Sequence, residues 1–248
     1  TVVAIGENIK DIKIGDSGIV FPWIGCGKCE ACLDHNETLC EMPKYLGARL
    51  NGGYSDHIIV PHSKYIVSYG DMDPAQAAPY ACSGLTAFSA LKKIPLTSKD
   101  DWIIIIGAGG VGINGILLSP ATHKAKILVI DNDPDKRKKA IEAGANEAFS
   151  PDDETEIRNK IGIGASAAID FVGRPETTDL GLSLVKKGGM VIVVGLYGGS
   201  LKLSLPLVPM RSMTLRGSYV GELRELKELV NIIKSGKIKL IPVKKQGL

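Results

Sequence analysis

Continuous apolar runs dominate the second half of the chain. The strands that they predict lie at residues 102–106, 127–131, 167–172 and 190–195, and stretches with helical periodicity separate them. Apolar runs of this length indicate strands that are buried on both faces. Because strands alternate with helices, we predict a doubly wound α/β architecture, in which a parallel sheet is covered by helices on both sides.

Residues 1–82 show shorter and less regular patterns. Short strands are predicted at 1–6, 17–21 and 55–61, and a helix is predicted over 73–94. Residues 221–236 form an amphipathic helix, since Leu226, Leu229, Val230 and Ile233 share one face and Gly236 ends it.

Two helices of the second half carry clear boundary signals. Pro120 removes a helical hydrogen bond, so the helix after residue 112 should kink or end there. The next helix begins after Asp133-Pro134 and stops at Gly144. Its basic run, from Lys136 to Lys139, is read most simply as a solvated face.

Three glycines follow the first apolar run at G-x-G-x-x-G spacing, at positions 107, 109 and 112. In a dinucleotide site the first permits a tight turn, the second lets pyrophosphate approach, and the third lets the helix pack closely. The second apolar run ends in Asp131, whose carboxylate can accept hydrogen bonds from a ribose diol and would repel a 2′-phosphate. We therefore expect NAD rather than NADP, with Lys136 within reach of the ribose hydroxyls.

The next two strand ends carry Gly173-Arg174 and Gly195. Ligands of doubly wound sheets bind at the carboxyl ends of the strands, so both positions are candidate contacts for the cofactor.

Four of the five cysteines form a C-x2-C-x2-C-x7-C pattern, at positions 26, 29, 32 and 40. Four thiolates at this spacing can bind one tetrahedral Zn²⁺ and leave no open coordination position, so the site is structural rather than catalytic. A zinc ribbon that reads nucleic acid is the alternative, but the surrounding side chains include Glu30, Asp34, Glu37 and Glu41. Cys82, taken alone, is read as a small buried apolar residue.

Charge and composition exclude several classes of binding partner. The formal net charge of +3 implies neither a nucleic-acid nor an anionic-membrane partner. The apolar runs are far shorter than the roughly 20 residues that cross a bilayer. The total of five cysteines is odd and four of them are clustered, which favours a metal site in a reducing, cytoplasmic compartment over a disulfide framework. Thr1 falls within a predicted strand, so we expect a start codon and any targeting segment to lie outside this chain.

Taken together, these motifs resemble the zinc-dependent medium-chain dehydrogenase/reductase family, in particular its microbial NAD-dependent alcohol dehydrogenases. The motifs that carry the resemblance are Val3-Ala-Ile-Gly6, Ile14-Gly-Asp16, the four-cysteine pattern, Asn51-Gly-Gly-Tyr-Ser55, Cys82-Ser-Gly-Leu-Thr86, Gly107-Ala-Gly-Gly-Val-Gly112 and Val129-Ile-Asp131. The resemblance implies a partial GroES-like catalytic domain with a zinc lobe at 1–82, an NAD-binding Rossmann domain at 83–220, and a C-terminal segment at 221–248 that returns to the catalytic domain.

The resemblance also implies a role for each matching residue. Cys26, Cys29, Cys32 and Cys40 match structural zinc ligands, and Cys82 matches a ligand of the catalytic zinc. Trp23 matches a position that lines the substrate pocket. The positions that match cofactor contacts are Thr86, Gly107, Gly109, Gly110, Val111, Gly112, Asp131, Lys136, Arg174 and Gly195.

The family pattern also contains catalytic-zinc ligands that precede the region matched by this chain, and Ser17 replaces its usual arginine. We therefore expect a complete structural zinc site, an incomplete catalytic one, and either a fragment of a longer enzyme or a truncated protein that does not catalyse. The implied reaction is reversible hydride transfer between a primary or secondary alcohol and NAD, in a homodimer or homotetramer. Two alternatives stay open: a zinc-containing reductase for another carbonyl substrate, and a non-catalytic nucleotide-binding homologue.

Overall fold

The structure, a computed structural model, describes residues 1–246 and divides into two compact units. The first unit combines Thr1–Leu85 with Val220–Leu248, and the second is Thr86–Tyr219. The last two residues of the predicted C-terminal segment, 247 and 248, lie outside the described part. Among the helices of residues 1–246, none is both long and apolar enough to cross a membrane.

Eight strands and nine α-helices are assigned within the described residues. In chain order the strands are β1 (Ile19–Val20), β2 (Ile66–Val67), β3 (Trp102–Ile106), β4 (Lys126–Ile130), β5 (Glu147–Phe149), β6 (Ala165–Asp170), β7 (Val185–Val193) and β8 (Thr214–Gly217). The helices are α1 (Glu30–Leu33), α2 (Pro74–Ala77), α3 (Ser83–Lys92), α4 (Gly110–Thr122), α5 (Pro134–Ala143), α6 (Glu154–Ile161), α7 (Pro175–Leu184), α8 (Leu207–Arg211) and α9 (Leu223–Lys234).

The second unit is a six-stranded parallel sheet in the order β5-β4-β3-β6-β7-β8. This is the strand order of a doubly wound dinucleotide-binding fold, and it confirms the predicted fold class. Strand β3 lies at the centre, where Ile103 pairs with Ile127 of β4 and with Ala167 of β6. Its four isoleucines are 0–2% exposed, because helices and neighbouring strands cover both faces of the sheet.

The four predicted strands of this unit are confirmed, with ends that shift by a few residues. Strand β7 differs most, because it begins at Val185 rather than at residue 190. In the first unit the predicted strands at 1–6 and 55–61 are wrong, since neither segment has a strand partner within the described residues. The strand predicted at 17–21 contracts to β1, which pairs antiparallel with β2.

The helix predicted over 73–94 is divided into three pieces. Helix α2 is followed by a 3-10 turn at Ala78–Ala81, and α3 begins only after Cys82. Pro79 lacks an N–H, and Cys82 has φ −135° and ψ −78°, which is not helical. The break places Cys82 at a kink rather than inside a continuous helix.

Helix α4 includes Pro120 in its last turn and ends at Thr122. The missing N–H of Pro120 would have reached the carbonyl of Ile116; the hydroxyl of Ser119 donates to that oxygen instead, at 2.9 Å. Helix α5 ends at Gly144 with φ +116°, as predicted. Helix α9 buries the predicted apolar face of Leu226, Leu229, Val230 and Ile233.

Candidate functional site

The glycine turn after β3 has the geometry of a nucleotide cradle. Gly107 has φ +91°, a left-handed conformation that favours glycine, and its N–H donates to the carbonyl of Ile130 at 2.8 Å. A Cβ on Gly112 would overlap the carbonyl oxygen of Gly107, so α4 packs against the turn only because residue 112 has no side chain. The first and third glycines therefore have the steric roles that the spacing predicts.

The second glycine faces open space. A Cβ on Gly109 or on Gly110 would meet no heavy atom within 4 Å. Gly109 is the N-cap of α4, and Gly110 and Val111 are its first two residues. Their N–H groups lie at the positive end of a thirteen-residue helix, where an anionic group is favoured. A pyrophosphate fits this end of the helix.

Asp131 lies directly after β4 and beside the glycine turn. Its side chain accepts a hydrogen bond from the N–H of Ala108 at 2.7 Å and from the N–H of Asp133 at 2.9 Å. The residue is only 8% exposed, so its carboxylate has a defined position. Lys136 is exposed, whereas the guanidinium of Arg137 donates to the backbone carbonyl of Asp131 at 2.8 Å. The basic run thus contributes one structural contact, which the sequence did not single out.

Asp170 organises the loop that follows β6. Its carboxylate is fully buried and accepts from the backbone N–H groups of Val172 and Gly173, each at 2.9 Å. The hydroxyls of Thr177 and Thr178, in the first turn of α7, donate to its other oxygen at 2.8 and 2.7 Å. A single carboxylate therefore satisfies four donors and connects the loop to the helix.

The loops after β6 and β7 lie against each other. A Cβ on Gly173 would overlap the backbone of Gly195, so the predicted cofactor residue Gly195 is held by close backbone packing. The guanidinium carbon of Arg174 lies 3.5 Å from the ring centroid of Tyr197, as a cation–π pair. Gly173, Arg174, Gly195 and Leu215 belong to the lining of a cavity of about 380 Å³.

Residues 25–40, which we call the cysteine lobe, bring four thiols together. The sulfur atoms of Cys26, Cys29, Cys32 and Cys40 all lie within 4.8 Å of one another. Individual separations are 3.5 Å from Cys29 to Cys32, 3.8 Å from Cys29 to Cys40 and 3.9 Å from Cys26 to Cys32. A tetrahedron with Zn–S bonds of roughly 2.3 Å has edges of about 3.8 Å, so the four sulfurs fit Zn²⁺.

The backbone of the lobe supports the same arrangement. The N–H of Cys26 donates to the sulfur of Cys40 at 3.2 Å. Backbone N–H groups of Lys28 and Cys29 lower the pKa of Cys26 to about 6, whereas burial raises the pKa of Cys32 to about 12. Metal binding deprotonates thiols, so a metal ion would hold all four as thiolates. Within residues 1–246 this is the one cluster of three or more potential metal ligands that the structure brings together.

The other predicted residues of the first unit lie near the break before α3. Cys82 is exposed, so its reading as a small buried apolar residue is wrong, and it forms no disulfide. The indole N–H of Trp23 donates to the carbonyl of Ala81 at 3.0 Å, and its ring meets that of Tyr45 edge-on at 5.5 Å. Trp23 is therefore connected to the residue that precedes Cys82. Thr86, in the second unit, is buried in α3.

Two buried carboxylates that organise the loops of the site, Asp170 and Glu37, were not predicted from the sequence. Asp170 ends an apolar strand, and a lone carboxylate in that position was the available signal. Glu37, which the sequence analysis names only as one of the acidic residues that weigh against nucleic-acid binding, is buried inside the cysteine lobe. The contacts of Glu37 come from residues 12 to 28 positions away, so local sequence carries no signal for it.

Comparison with known proteins agrees with this architecture. Residues 110–235 match the family described as zinc-binding dehydrogenase, and residues 1–70 match the alcohol dehydrogenase GroES-like domain. A NAD-dependent alcohol dehydrogenase from Sulfolobus acidocaldarius is 34% identical over 241 residues, which cover 96% of this chain and 70% of that relative.

Two solved structures are similar over nearly the whole chain. The D-arabinose dehydrogenase from Sulfolobus solfataricus has a TM-score of 0.88 at 30% identity, covering 96% of this chain and 75% of that one. The alcohol dehydrogenase from Aeropyrum pernix has a TM-score of 0.88 at 28% identity, covering 95% and 70%. A dinucleotide-type sheet and a four-thiol lobe in one chain define a metal-binding dehydrogenase. The chain belongs to the zinc-type medium-chain alcohol dehydrogenase family.

Proposed function

We propose that the protein is an NAD-dependent alcohol dehydrogenase that transfers hydride reversibly between a primary or secondary alcohol and NAD. The observation that carries the proposal is the presence, in one chain, of the Asp131 glycine-turn site and four thiols at tetrahedral spacing. The relatives named NAD-dependent alcohol dehydrogenase support the same activity.

The cofactor assignment follows from the residues of the second unit. Gly109, Gly110 and Val111 present backbone N–H groups to the pyrophosphate, and Gly107 and Gly112 keep the turn close to the helix. The carboxylate of Asp131, which accepts from the N–H of Ala108, would accept hydrogen bonds from the ribose hydroxyls and repel a 2′-phosphate. Lys136 and Arg174 are the proposed basic contacts, and Thr86 and Gly195 complete the proposed cofactor set.

The metal assignment separates two roles. The four cysteines of the lobe bind a structural zinc, because all coordination positions are filled by sulfur. Cys82 is assigned as a ligand of the catalytic zinc, which, when bound, polarises the alcohol oxygen and lowers its pKa. Cys82 supplies one sulfur ligand from the kink before α3, and the Trp23–Ala81 hydrogen bond holds that kink.

A second candidate function is the oxidation of a polyhydroxylated substrate. It is favoured by the similarity to a solved D-arabinose dehydrogenase, at 30% identity. Trp23 is proposed to line the substrate pocket, and its aromatic ring favours apolar or aromatic alcohols over a sugar. Turnover with a panel of aliphatic alcohols, benzyl alcohol and pentoses distinguishes the two functions.

Assembly and location are also part of the proposal. Strand β8 is an edge strand whose residues are all exposed, so it can pair with the same strand of a second copy in a homodimer or homotetramer. The five cysteines form no disulfide, which supports a reducing, cytoplasmic compartment.

The nucleotide part of the proposal is tested by fluorescence titration of this chain with NADH and NADPH. The catalytic part is tested by steady-state kinetics on a longer chain, extended at its N-terminus with the catalytic-zinc ligands of the family pattern. We expect Asp131→Gly to lower the preference for NADH over NADPH at least tenfold, or about 1.4 kcal/mol, since the repulsion of the 2′-phosphate is lost. Asp135→Asn, an exposed carboxylate on α5, is the matched control. We expect Cys82→Ser to abolish alcohol-dependent NAD reduction. Protein that binds neither nucleotide contradicts the proposal, and near-normal turnover of Cys82→Ser contradicts the zinc role of Cys82.

A further inference from the structure

Glu37 places a carboxylate inside the cysteine lobe. It begins the 3-10 turn Glu37–Leu39, between the third and fourth cysteines, and it is only 4% exposed. Buried carboxylates are rare in proteins unless their oxygens are paired, because desolvation of the charge is costly. The buried carboxylate of Glu37 therefore needs hydrogen-bond donors that offset the cost of its desolvation.

Three donors meet this carboxylate. One oxygen accepts from the backbone N–H of Gly25 at 2.8 Å and from the hydroxyl of Tyr65 at 2.7 Å. The other accepts from the ammonium of Lys64 at 3.2 Å. Gly25 directly precedes Cys26, and Tyr65 directly precedes β2. Glu37 thus connects the two ends of the cysteine lobe to each other and to the small sheet.

The same side chain lies close to the residues that carry the thiols. A Cβ on Gly25 would overlap the sulfur of Cys32 and would lie 3.3 Å from the Cβ of Glu37 and 3.4 Å from that of Cys40. Residue 25 has no side chain at the point where Glu37 and two of the sulfur-bearing residues converge. Glu37 and two of the predicted metal ligands therefore share the space around residue 25.

A carboxylate beside four thiolates is electrostatically unfavourable, so its compensating contacts matter. Four thiolates around a divalent cation carry an excess of negative charge, so a nearby carboxylate is repelled unless cations or donors compensate it. Lys64 supplies a positive charge, and its ammonium also lies 4.6 Å from the ring centroid of Tyr65. Burial raises the pKa of Tyr65, so its hydroxyl stays protonated and able to donate.

We propose that Glu37 is the positioning residue of the four-cysteine metal site, and that its carboxylate holds Cys26 and Cys40 at the separation that Zn²⁺ requires. The proposal rests on the metal assignment made above. An outer-shell acceptor acts on a metal through the groups it orients, and its loss typically lowers metal affinity 10- to 100-fold. An amide at this position keeps the shape of the side chain but replaces one acceptor oxygen with a donor, which faces the existing donors.

The test is the rate at which zinc leaves the fully loaded chain when a chromogenic chelator is added. We expect Glu37→Gln to release zinc at least tenfold faster than wild type. Tyr65→Phe should give a smaller increase, because one of the three donors is lost and the ring is kept. Absorption of the Co²⁺-loaded protein, which reports thiolate coordination, should shift in Glu37→Gln and stay unchanged in the control.

Thr38→Val is the matched control, since Thr38 belongs to the same 3-10 turn but its hydroxyl contacts Glu222 rather than the lobe. We expect Thr38→Val to release zinc at close to the wild-type rate. Equal release from Glu37→Gln and wild type overturns the inference, and so does equally fast release from Thr38→Val. If Glu37→Gln cannot be isolated folded, Tyr65→Phe decides by the same measure. Wild-type chain that binds no zinc removes the metal assignment itself, a result distinct from unchanged release.

Discussion

The cysteine lobe and the six-stranded sheet are stabilised in different ways. Every strand from β3 to β7 contributes fully buried or half-buried side chains, and Ile104, Leu128, Ala168 and Val191 belong to one apolar cluster. The lobe spans residues 25–40 and buries only three side chains, those of Cys32, Glu37 and Cys40. The sheet is thus held by apolar burial, whereas the lobe is held by polar contacts and, in our proposal, by a bound metal ion.

The difference shows which parts of a sequence specify shape by themselves. An apolar strand needs only neighbours of similar character, so its structure tolerates exchange of one aliphatic residue for another. The lobe requires particular atoms at particular separations, and no apolar substitute can replace a thiolate. Changes of equal size should therefore have unequal consequences in the two regions.

The largest effect is expected from removing a metal ligand. Cys40→Ser leaves three sulfurs, and structural zinc contributes about 10–16 kcal/mol in small zinc-binding peptides at neutral pH. We expect zinc content to fall from one structural ion per chain towards none, and the 26–40 segment to become sensitive to protease. NADH binding by the second unit should be kept. Retention of a full equivalent of zinc, measured by elemental analysis, contradicts the four-thiol site.

Gly112→Ala should produce the opposite pattern. The added methyl overlaps the carbonyl oxygen of Gly107, so α4 must move away from the turn. We expect a loss of about 2–4 kcal/mol in the free energy of unfolding and at least a tenfold weaker NADH affinity, with zinc content unchanged. Gly217→Ala is the matched control, because a Cβ there meets no atom within 4 Å. Equal urea midpoints for the two variants would remove the steric argument.

A smaller effect is expected at the other end of the strands, where Asp101 directly precedes β3 and lies opposite the glycine turn. One of its oxygens accepts from Ser166 at 2.5 Å and from Lys186 at 2.9 Å, and the other accepts from the N–H of Ser98 at 2.8 Å. These hydrogen bonds hold the pKa of Asp101 well below its usual range, and the bond from Ser166 has the largest effect. Because the folded pKa is lowered, the stabilisation is present above the unfolded pKa and is lost as pH falls towards the folded value.

We therefore expect Asp101→Asn to cost about 1–2 kcal/mol at pH 7, and the difference from wild type to shrink below a pH of about 4. Urea unfolding, followed by circular dichroism at pH 7 and again below a pH of about 4, measures the difference in the free energy of unfolding. Asp100→Asn, at the exposed neighbouring position, is the control and should have no such pH dependence. A difference that grows in acid has the wrong sign and contradicts the assignment.

The sheet and the four-thiol cluster were the predictable parts of the molecule. The run from Ile103 to Ile106 and the cysteine spacing are local patterns, and each one specifies its structure within a few residues. Strands β1 and β2 are two residues long and exist through their mutual pairing, which a single segment cannot reveal. The predictions at 1–6 and 55–61 failed because no strand is assigned to either segment: Val2 exchanges backbone hydrogen bonds with Gly15 and Asp16, but the pairing does not extend into a strand.

The residues of the candidate site also differ in how far the sequence predicts them. The steric roles of Gly107 and Gly112 follow from their spacing, and the structure confirms a turn of the expected shape. The buried acceptors Glu37 and Asp170 could not be predicted, because their donors come from several segments that only the folded chain brings together. The assignments of Cys82 and Trp23 to the chemistry remain predictions of the resemblance.

The contact between Thr38 and Glu222 joins residues 184 positions apart in the chain. The first unit is discontinuous, so its two parts are separated during synthesis by the whole of Thr86–Tyr219. The second unit must therefore leave the ribosome before Glu222, the N-cap residue of α9, can reach Thr38. The inserted unit can therefore finish folding early, whereas the contact between Thr38 and Glu222 closes only after the chain beyond Tyr219 has been synthesised.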